Sequence, residues 1–276
     1  MNKEIKPKGK LIAIGGNEDK SDEIKVIRRV VVEAKGKDTA VELITTASDY
    51  PRWMAETYEA VFDKIGVKSF NYIDVSTKSQ ADDKKYEKRI EEADLVFFSG
   101  GDQFRLCGIL EGTLLLKTIT KLFQETPVLI AGTSAGASAL SNIMIYEGNG
   151  AWGLVKGSIS MGPGFGFVDD LVIDTHFVTR NRFGRLFQVS SANESILGVG
   201  LSDDTGIIIN QDGIFEVFGN GLVVVVDNEH LKGTNISKIE KGGLLSVENL
   251  HVHILGEGYR YDFINRCIQK TSFLNI

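Results

Sequence analysis

Short apolar runs alternate with stretches of helical apolar spacing through the first half of the chain. Leu11 to Ile14 has strand length and stops at Gly15-Gly16-Asn17. From Glu23 to Ala34, Ile24, Ile27, Val30 and Val31 recur at helical spacing, which predicts an amphipathic helix. The alternation continues with strands at Ala40 to Thr46, Ser69 to Val75, Asp94 to Phe98 and Pro127 to Ala131. Helices are predicted between them at Trp53 to Ile65, Asp82 to Glu92 and Gly112 to Phe123. Such a β-α-β-α rhythm predicts a parallel sheet with helices on both faces. From about Gly148 the texture changes to glycines and short apolar runs. Leu171 to Ile173, Ile196 to Leu201, Gly206 to Ile209, Ile214 to Phe218, Leu222 to Val226 and Leu250 to Leu255 read as antiparallel or edge strands extending the same sheet. Phe183 to Ser191 reads as one more helix. The expectation is an α/β fold: a mostly parallel sheet flanked by helices, with antiparallel strands added from the C-terminal half. No repeat or disordered linker divides the chain, so residues 1–276 read as one domain.

One junction carries chemistry. Val128 to Ala131 leads into Gly132-Thr133-Ser134-Ala135-Gly136, a G-x-S-x-G pattern where a strand turns into a helix. Small residues permit the sharp turn that lifts a serine hydroxyl off the sheet edge, and the helix start offers free N–H groups to an oxyanion. Ser134 is the candidate nucleophile. Ligand sites on parallel sheets lie at the carboxyl ends of strands. Gly15-Gly16, Thr46 to Ser48, Gly100 to Gln103 and Ser134 all fall at such ends.

A serine nucleophile needs a base, an acid to orient that base, and oxyanion donors. The chain has four histidines: His176, His230, His251 and His253. His176 follows a predicted strand and precedes Arg180, Arg182 and Arg185, an unusual concentration of cations in an acidic protein. His230 sits in a polar turn. His251 and His253 share a strand face without a nearby third metal ligand, so a zinc site is a poor reading. Asp203 and Asp204 follow another apolar run and supply candidate acids. The backbone N–H groups of Ala135 and of the Gly100-Gly101 turn are candidate oxyanion donors.

Composition narrows the partners. A net charge of −6 leaves no basic surplus for nucleic acid. No apolar run is long enough for a signal segment or membrane span. Cys107 and Cys267 lie far apart without metal spacing and read as reduced, buried residues of a cytoplasmic protein. Neither a dinucleotide fingerprint nor a metal cluster is visible, so no cofactor is expected.

The motifs together resemble those of cyanophycinases, serine peptidases related to peptidase E. They are Ile14 to Lys20, Ser99 to Gln103, Gly132 to Ala137, Asp174 to Phe177, Arg180 to Leu186 and Asp203 to Thr205, in the same order. The resemblance runs from about Lys8 to Phe263. It implies a class I glutamine amidotransferase-like fold, with serine replacing cysteine. It also implies exopeptidase cleavage of cyanophycin, a poly-aspartate carrying arginine on each β-carboxyl, and release of β-aspartyl-arginine. By motif, Ser134 is the implied nucleophile, His176 the base and Asp203 the acid, with Asp204 as its alternative. Gly101 and Ala135 are the implied oxyanion donors, and Gln103, Asp174, Arg180, Arg182 and Arg185 line the pocket. In that pocket the arginines would bind substrate carboxylates and Asp174 a guanidinium. Relatives also suggest a homodimer. Two departures stand out: Thr175 replaces a usual glutamine, and Asp203 a usual glutamate.

Three other readings compete. A peptidase E-like enzyme would take ordinary aspartyl dipeptides. An α/β-hydrolase esterase would use the chain order serine, acid, histidine, and so His251 or His253 as base. A non-catalytic protein would retain only the fold.

Overall fold

Apolar runs become strands and the amphipathic stretches between them become helices in the computed structural model, which describes residues 6–148, 150–193 and 195–269. The first half runs β1 (Lys10–Ile14), α1 (Lys25–Ala34), β2 (Ala40–Ile44), α2 (Pro51–Ile65), β3 (Ser69–Ile73), α3 (Lys78–Ala81), α4 (Lys85–Glu91), β4 (Leu95–Phe98), α5 (Gln103–Leu110), α6 (Leu114–Glu125), β5 (Leu129–Thr133) and α7 (Ala135–Ser138). The second half adds β6 (Ile143–Gly148), β7 (Ile159–Pro163), β8 (Leu171–Asp174), α8 (Phe183–Ala192), β9 (Leu197–Leu201), β10 (Thr205–Ile209), β11 (Ile214–Gly219) and β12 (Val223–Asp227). It closes with β13 (Gly233–Thr234), β14 (Val247–Glu248), β15 (His251–Leu255), β16 (Arg260–Asp262) and β17 (Cys267–Gln269).

A nine-stranded sheet forms the centre, in the order β17-β16-β11-β10-β1-β5-β4-β2-β3. Strands β3, β2, β4, β5 and β1 pair in parallel. Strands β10, β11, β16 and β17 extend the sheet antiparallel. The fold is thus the mixed α/β architecture expected. Helices α1 and α2 cover one face, where Ile27, Val30, Tyr58 and Phe62 pack on Ile12, Leu43 and Phe97. Helix α2 starts on Pro51 and ends at Gly66, whose positive φ of 81° closes the helix. Helices α4, α5 and α6 pack on the opposite face with Ile90, Leu106 and Ile119.

Two segments differ from the sequence expectation. The charged stretch Asp82 to Glu92 is helical only from Lys85 to Glu91 (α4), because its aspartates bond elsewhere. Asp83 Oδ1 accepts from the Lys85 amide at 3.0 Å, and Asp82 Oδ1 from the Leu114 amide at 2.8 Å. The helix α5 lies where no helix was expected. Asp102 caps it by accepting from the Arg105 amide at 3.0 Å, and it buries Leu106, Cys107 and Leu110.

The C-terminal strands also divide. Strands β8, β9, β12 and β15 do not extend the central sheet but form a second one, ordered β15-β12-β9-β8. Every residue of β9 and β12 is buried, so both faces need cover. Val199, Leu201, Val223 and Val225 join the core shared with the central sheet. Val224 and Val226 pack instead with Leu186 and Val189 of α8.

Both cysteines are free. Cys107 is buried as expected, whereas Cys267 is exposed because β17 is the edge strand of the central sheet. Among the described residues, no helix is long and apolar enough to cross a membrane. Nor does any group of three His, Cys, Asp or Glu among them suit a metal ion.

Candidate active site

The parallel register sets the site. Ile14 pairs with Thr133 and Gly132 with Phe98, so β1, β5 and β4 end at the same level. The segments just beyond those ends lie side by side. Ser134 stands between β5 and α7 with φ 51° and ψ −114°, a conformation that non-glycine residues rarely adopt and that strand-to-helix nucleophile turns require. Its amide donates to the Ile14 carbonyl at 3.0 Å, which ties the turn to β1.

His176 arrives from the second sheet, two residues beyond β8. It too has a positive φ, 48°, and its amide donates to the Gly15 carbonyl at 2.8 Å. The imidazole Nε2 lies 2.8 Å from Ser134 Oγ. Its Nδ1 lies 2.6 Å from Asp203 Oδ1, just past β9. In the tautomer that satisfies both contacts, the hydroxyl donates to Nε2 and Nδ1–H donates to the carboxylate. Thr179 Oγ1 donates to the other Asp203 oxygen at 3.0 Å. Asp204 points elsewhere, accepting from the Asp19 amide at 3.0 Å and from Asn220 Nδ2 at 2.6 Å. Between the two aspartates, the imidazole therefore meets Asp203.

Burial is the largest influence on His176 and pushes its pKa down. The hydrogen bond to Asp203 opposes this, while the Arg180 and Arg182 guanidiniums lower it further, and the net shift is downward. The imidazole is accordingly neutral at neutral pH, as a proton acceptor must be.

The residues expected to line a pocket separate into two groups. Asp174 is buried and holds the chain's own guanidinium. Arg185 Nε donates to its Oδ2 at 2.6 Å, Arg185 Nη2 bonds its Oδ1, and Arg182 Nη1 reaches Oδ1 at 3.2 Å. Arg185 is buried with it and also donates to the Gly148 carbonyl at 3.0 Å. Gln103 Nε2 donates to the Ile145 carbonyl at 2.9 Å. These three side chains are engaged within the protein. Arg180 and Arg182 instead line a cavity of about 590 Å³, together with Glu147, Gly148, Ser158 and Ser160. Ser134, His176 and Asp203 do not line this cavity; its arginines tie it to the histidine's segment, the Arg180 amide donating to the His176 carbonyl at 2.9 Å and Arg182 Nη1 to the Thr175 carbonyl at 2.7 Å. Burial lowers the Arg182 pKa to about 10, which keeps it cationic at neutral pH.

Of the expected oxyanion donors, Ala135 directly follows the serine, and Gly101 follows Gly100, the glycine that approaches it. A Cβ on Gly100 would lie 3.3 Å from Ser134 Cβ. Gly101 follows with φ 144°, and a Cβ there would fall 2.0 Å from the Ala47 carbonyl oxygen, so only glycine fits. Ala135 opens α7, where amides have no intrahelical acceptor. The histidines of the esterase reading lie on β15, away from the serine. His251 packs its ring on His230 at 4.9 Å and His253 on Tyr261 at 5.4 Å.

Three further participants had no role assigned from sequence, although Gly16 and Glu18 fall within the Ile14 to Lys20 motif. Thr179 orients Asp203, and nothing in its local sequence signals that. Gly16 leaves room for the imidazole: a Cβ on it would stand 2.3 Å from His176 Cε1. Glu18 is buried behind the serine turn, where it accepts from the Tyr58 hydroxyl, from Thr133 Oγ1 at 2.8 Å, and pairs with Lys20 at 3.1 Å. Burial alone would raise its pKa, but Lys20 and these donors hold it below the ordinary carboxylate value. Its near neighbours, Asn17, Asp19 and Lys20, make Glu18 look like one more charge of a polar turn.

Comparison with known proteins places the chain in a class. The model of peptidase family S51 matches residues 11–217. A cyanophycinase of Geminocystis herdmanii is 34% identical over 252 residues, covering 91% of this chain and 93% of the relative. A cyanophycinase of Nostoc sp. is 31% identical over 258 residues, covering 94% of this chain and 87% of the relative. Among solved structures, a peptidase from an acI-B1 Actinobacterium superposes with a TM-score of 0.68 at 17% identity, covering 94% of this chain and 98% of the other. A putative peptidase E protein from Listeria monocytogenes gives 0.55 at 16% identity, covering 77% and 99%. At these identities the structural likeness speaks for the fold. The chain belongs to peptidase family S51. It is a serine-type peptidase.

Proposed function

We propose that Ser134, His176 and Asp203 form the catalytic triad of an exopeptidase that acts on cyanophycin or related β-linked aspartyl-arginine peptides. One observation carries the triad: the unbroken line of hydrogen bonds from the Ser134 hydroxyl to His176 at 2.8 Å and on to Asp203 at 2.6 Å. As the Ser134 oxygen attacks the scissile carbonyl, its proton passes to His176 Nε2. Asp203 holds the imidazole in the receptive tautomer and stabilises the imidazolium that forms. The amides of Ala135 and Gly101 stabilise the tetrahedral oxyanion. Collapse expels the amine, which takes the proton from His176. Water, deprotonated by the same histidine, then releases the carboxylate and restores the serine.

The substrate reading draws on the cyanophycinase relatives and on the cavity beside His176. Exposed Arg180 and half-buried Arg182 offer paired N–H donors to the carboxylates of an aspartyl peptide. A peptidase E-like reading, with ordinary aspartyl dipeptides as substrate, draws on Thr175, which stands in place of the glutamine usual in cyanophycinases. The test is hydrolysis of cyanophycin against α-aspartyl dipeptides, followed by chromatography of the products. Release of β-aspartyl-arginine with little turnover of α-aspartyl dipeptides is expected. The reverse preference would replace the substrate reading with the dipeptidase one.

A further inference from the structure

The cavity beside His176 carries charges of both signs, and its acidic side is built by an irregularity in the hairpin of β6 and β7. Pairing steps from Ile145 opposite Met161 directly to Glu147 opposite Ser160, which leaves Tyr146 as an extra residue. With regular pairing, Tyr146 would face Ser160 and Glu147 would face Ile159. The bulge instead sends the Tyr146 ring against Phe104, 4.7 Å between centroids, and sets Glu147 across from Ser160. The Ser160 hydroxyl then donates to Glu147 Oε2 at 3.1 Å, which orients the carboxylate. Glu147 is exposed and lines the same cavity as Arg180 and Arg182. Among the described residues, neither Glu147 nor Arg180 has an ion-pair partner, whereas Asp174 is already taken by Arg185 and Arg182.

The geometry points to Glu147 as the residue that selects an arginine-bearing substrate, its carboxylate receiving the substrate guanidinium while the cavity's arginines face the substrate carboxylates. This rests on the aspartyl-arginine peptide reading above. A unit of such a peptide is a dipolar molecule with a planar cation at one end and carboxylates at the other. A cavity lined by a carboxylate without an ion-pair partner and by guanidiniums carries both of the charges that such a unit needs. A carboxylate accepts two parallel N–H bonds from a guanidinium, a geometry that a neutral urea group of the same shape matches without the charge. Glu147 touches no reacting atom in this scheme. It sets which side chain is accepted.

The test measures binding without turnover. In the Ser134→Ala protein, calorimetry compares β-aspartyl-arginine with β-aspartyl-citrulline, which keeps the shape and removes the positive charge. The arginine peptide is expected to bind about 10- to 100-fold more tightly, the range for one charge-assisted contact. Adding Glu147→Gln is expected to bring the two peptides to similar affinity, chiefly by weakening the arginine peptide. Adding Ser160→Ala is expected to narrow the preference without abolishing it. Circular dichroism melting confirms that each variant folds. A preference for arginine that survives Glu147→Gln unchanged overturns the assignment, as does equal binding of both peptides by the Ser134→Ala protein. Failure of the wild type to cleave cyanophycin would sink the exopeptidase reading alone. A Glu147-dependent arginine preference would still stand as recognition of arginine-bearing peptides.

Discussion

Gly16 and the imidazole of His176 are in direct apposition: a Cβ at position 16 would lie 2.3 Å from Cε1 and 2.6 Å from Nε2. Gly16 also has φ 95°, a backbone region that side chains rarely tolerate. The ring bonded to Ser134 therefore occupies space that exists only because residue 16 has no side chain. Gly16→Ala is expected to lower kcat about 100-fold or more through displacement of the base, since misplacements near 1 Å have effects of that size. Steady-state kinetics on a folded variant checks this. Wild-type kcat in Gly16→Ala would show that the ring can move without consequence.

Asp203 and Asp204 are neighbours with separate duties. Asp203→Asn removes the carboxylate from Nδ1 and favours the wrong tautomer, with an expected fall in kcat of about 10⁴-fold. Asp204→Asn leaves the imidazole contact intact and affects the ties to Asp19 and Asn220. It is expected to keep kcat within about tenfold and to lower the melting temperature, because losing one hydrogen-bond acceptor has an effect of roughly 1–3 kcal/mol. Kinetics and thermal melts of the pair distinguish them.

The pH profile follows from His176. Burial, aided by Arg180 and Arg182, holds its pKa below 6.5. The reaction needs the neutral ring, so kcat/KM is expected to be flat through neutral pH and to fall only as pH drops past a midpoint below 6.5. Replacing Arg180 with glutamine removes one nearby cation, so protonation becomes easier and the acid limb moves to higher pH. A limb that stays in place in Arg180→Gln would mean that this arginine does not act on the ring.

Glu18 links three elements behind the nucleophile through Tyr58, Thr133 and Lys20. Glu18→Gln keeps the size but replaces one acceptor oxygen by a donor that faces hydroxyl groups. A loss of roughly 1–3 kcal/mol in unfolding free energy is expected, measured by urea denaturation. Because Thr133 precedes Ser134, a fall in kcat at temperatures well below unfolding is expected as well.

The parts legible in the sequence were those whose signal is local. Five parallel strands followed from apolar runs bounded by glycine and polar residues, and the serine turn from its small neighbours. The helix α5 was not legible, because Gly108 interrupts its apolar pattern and its start depends on the Asp102 cap. The second sheet was hidden because buried strands look alike whichever sheet they join. Asp174 and Arg185 show why charges are hard to assign from sequence. Both carry the chemistry of a binding pocket, yet they satisfy each other below the surface. Gly16, Thr179 and Glu147 act through contacts with residues far away in the chain, and a bulge that re-aims Glu147 leaves no local trace.

Covalent labelling tests the central claim most directly. A fluorophosphonate probe reacts with a serine only when a neighbouring base activates it and oxyanion donors receive the phosphonyl oxygen. Incubation of the intact protein with the probe, followed by peptide mass spectrometry, is expected to find one adduct, on Ser134, and to find it lost in His176→Ala. An unlabelled Ser134 in the folded wild type, or labelling that persists at full rate in His176→Ala, would contradict the account.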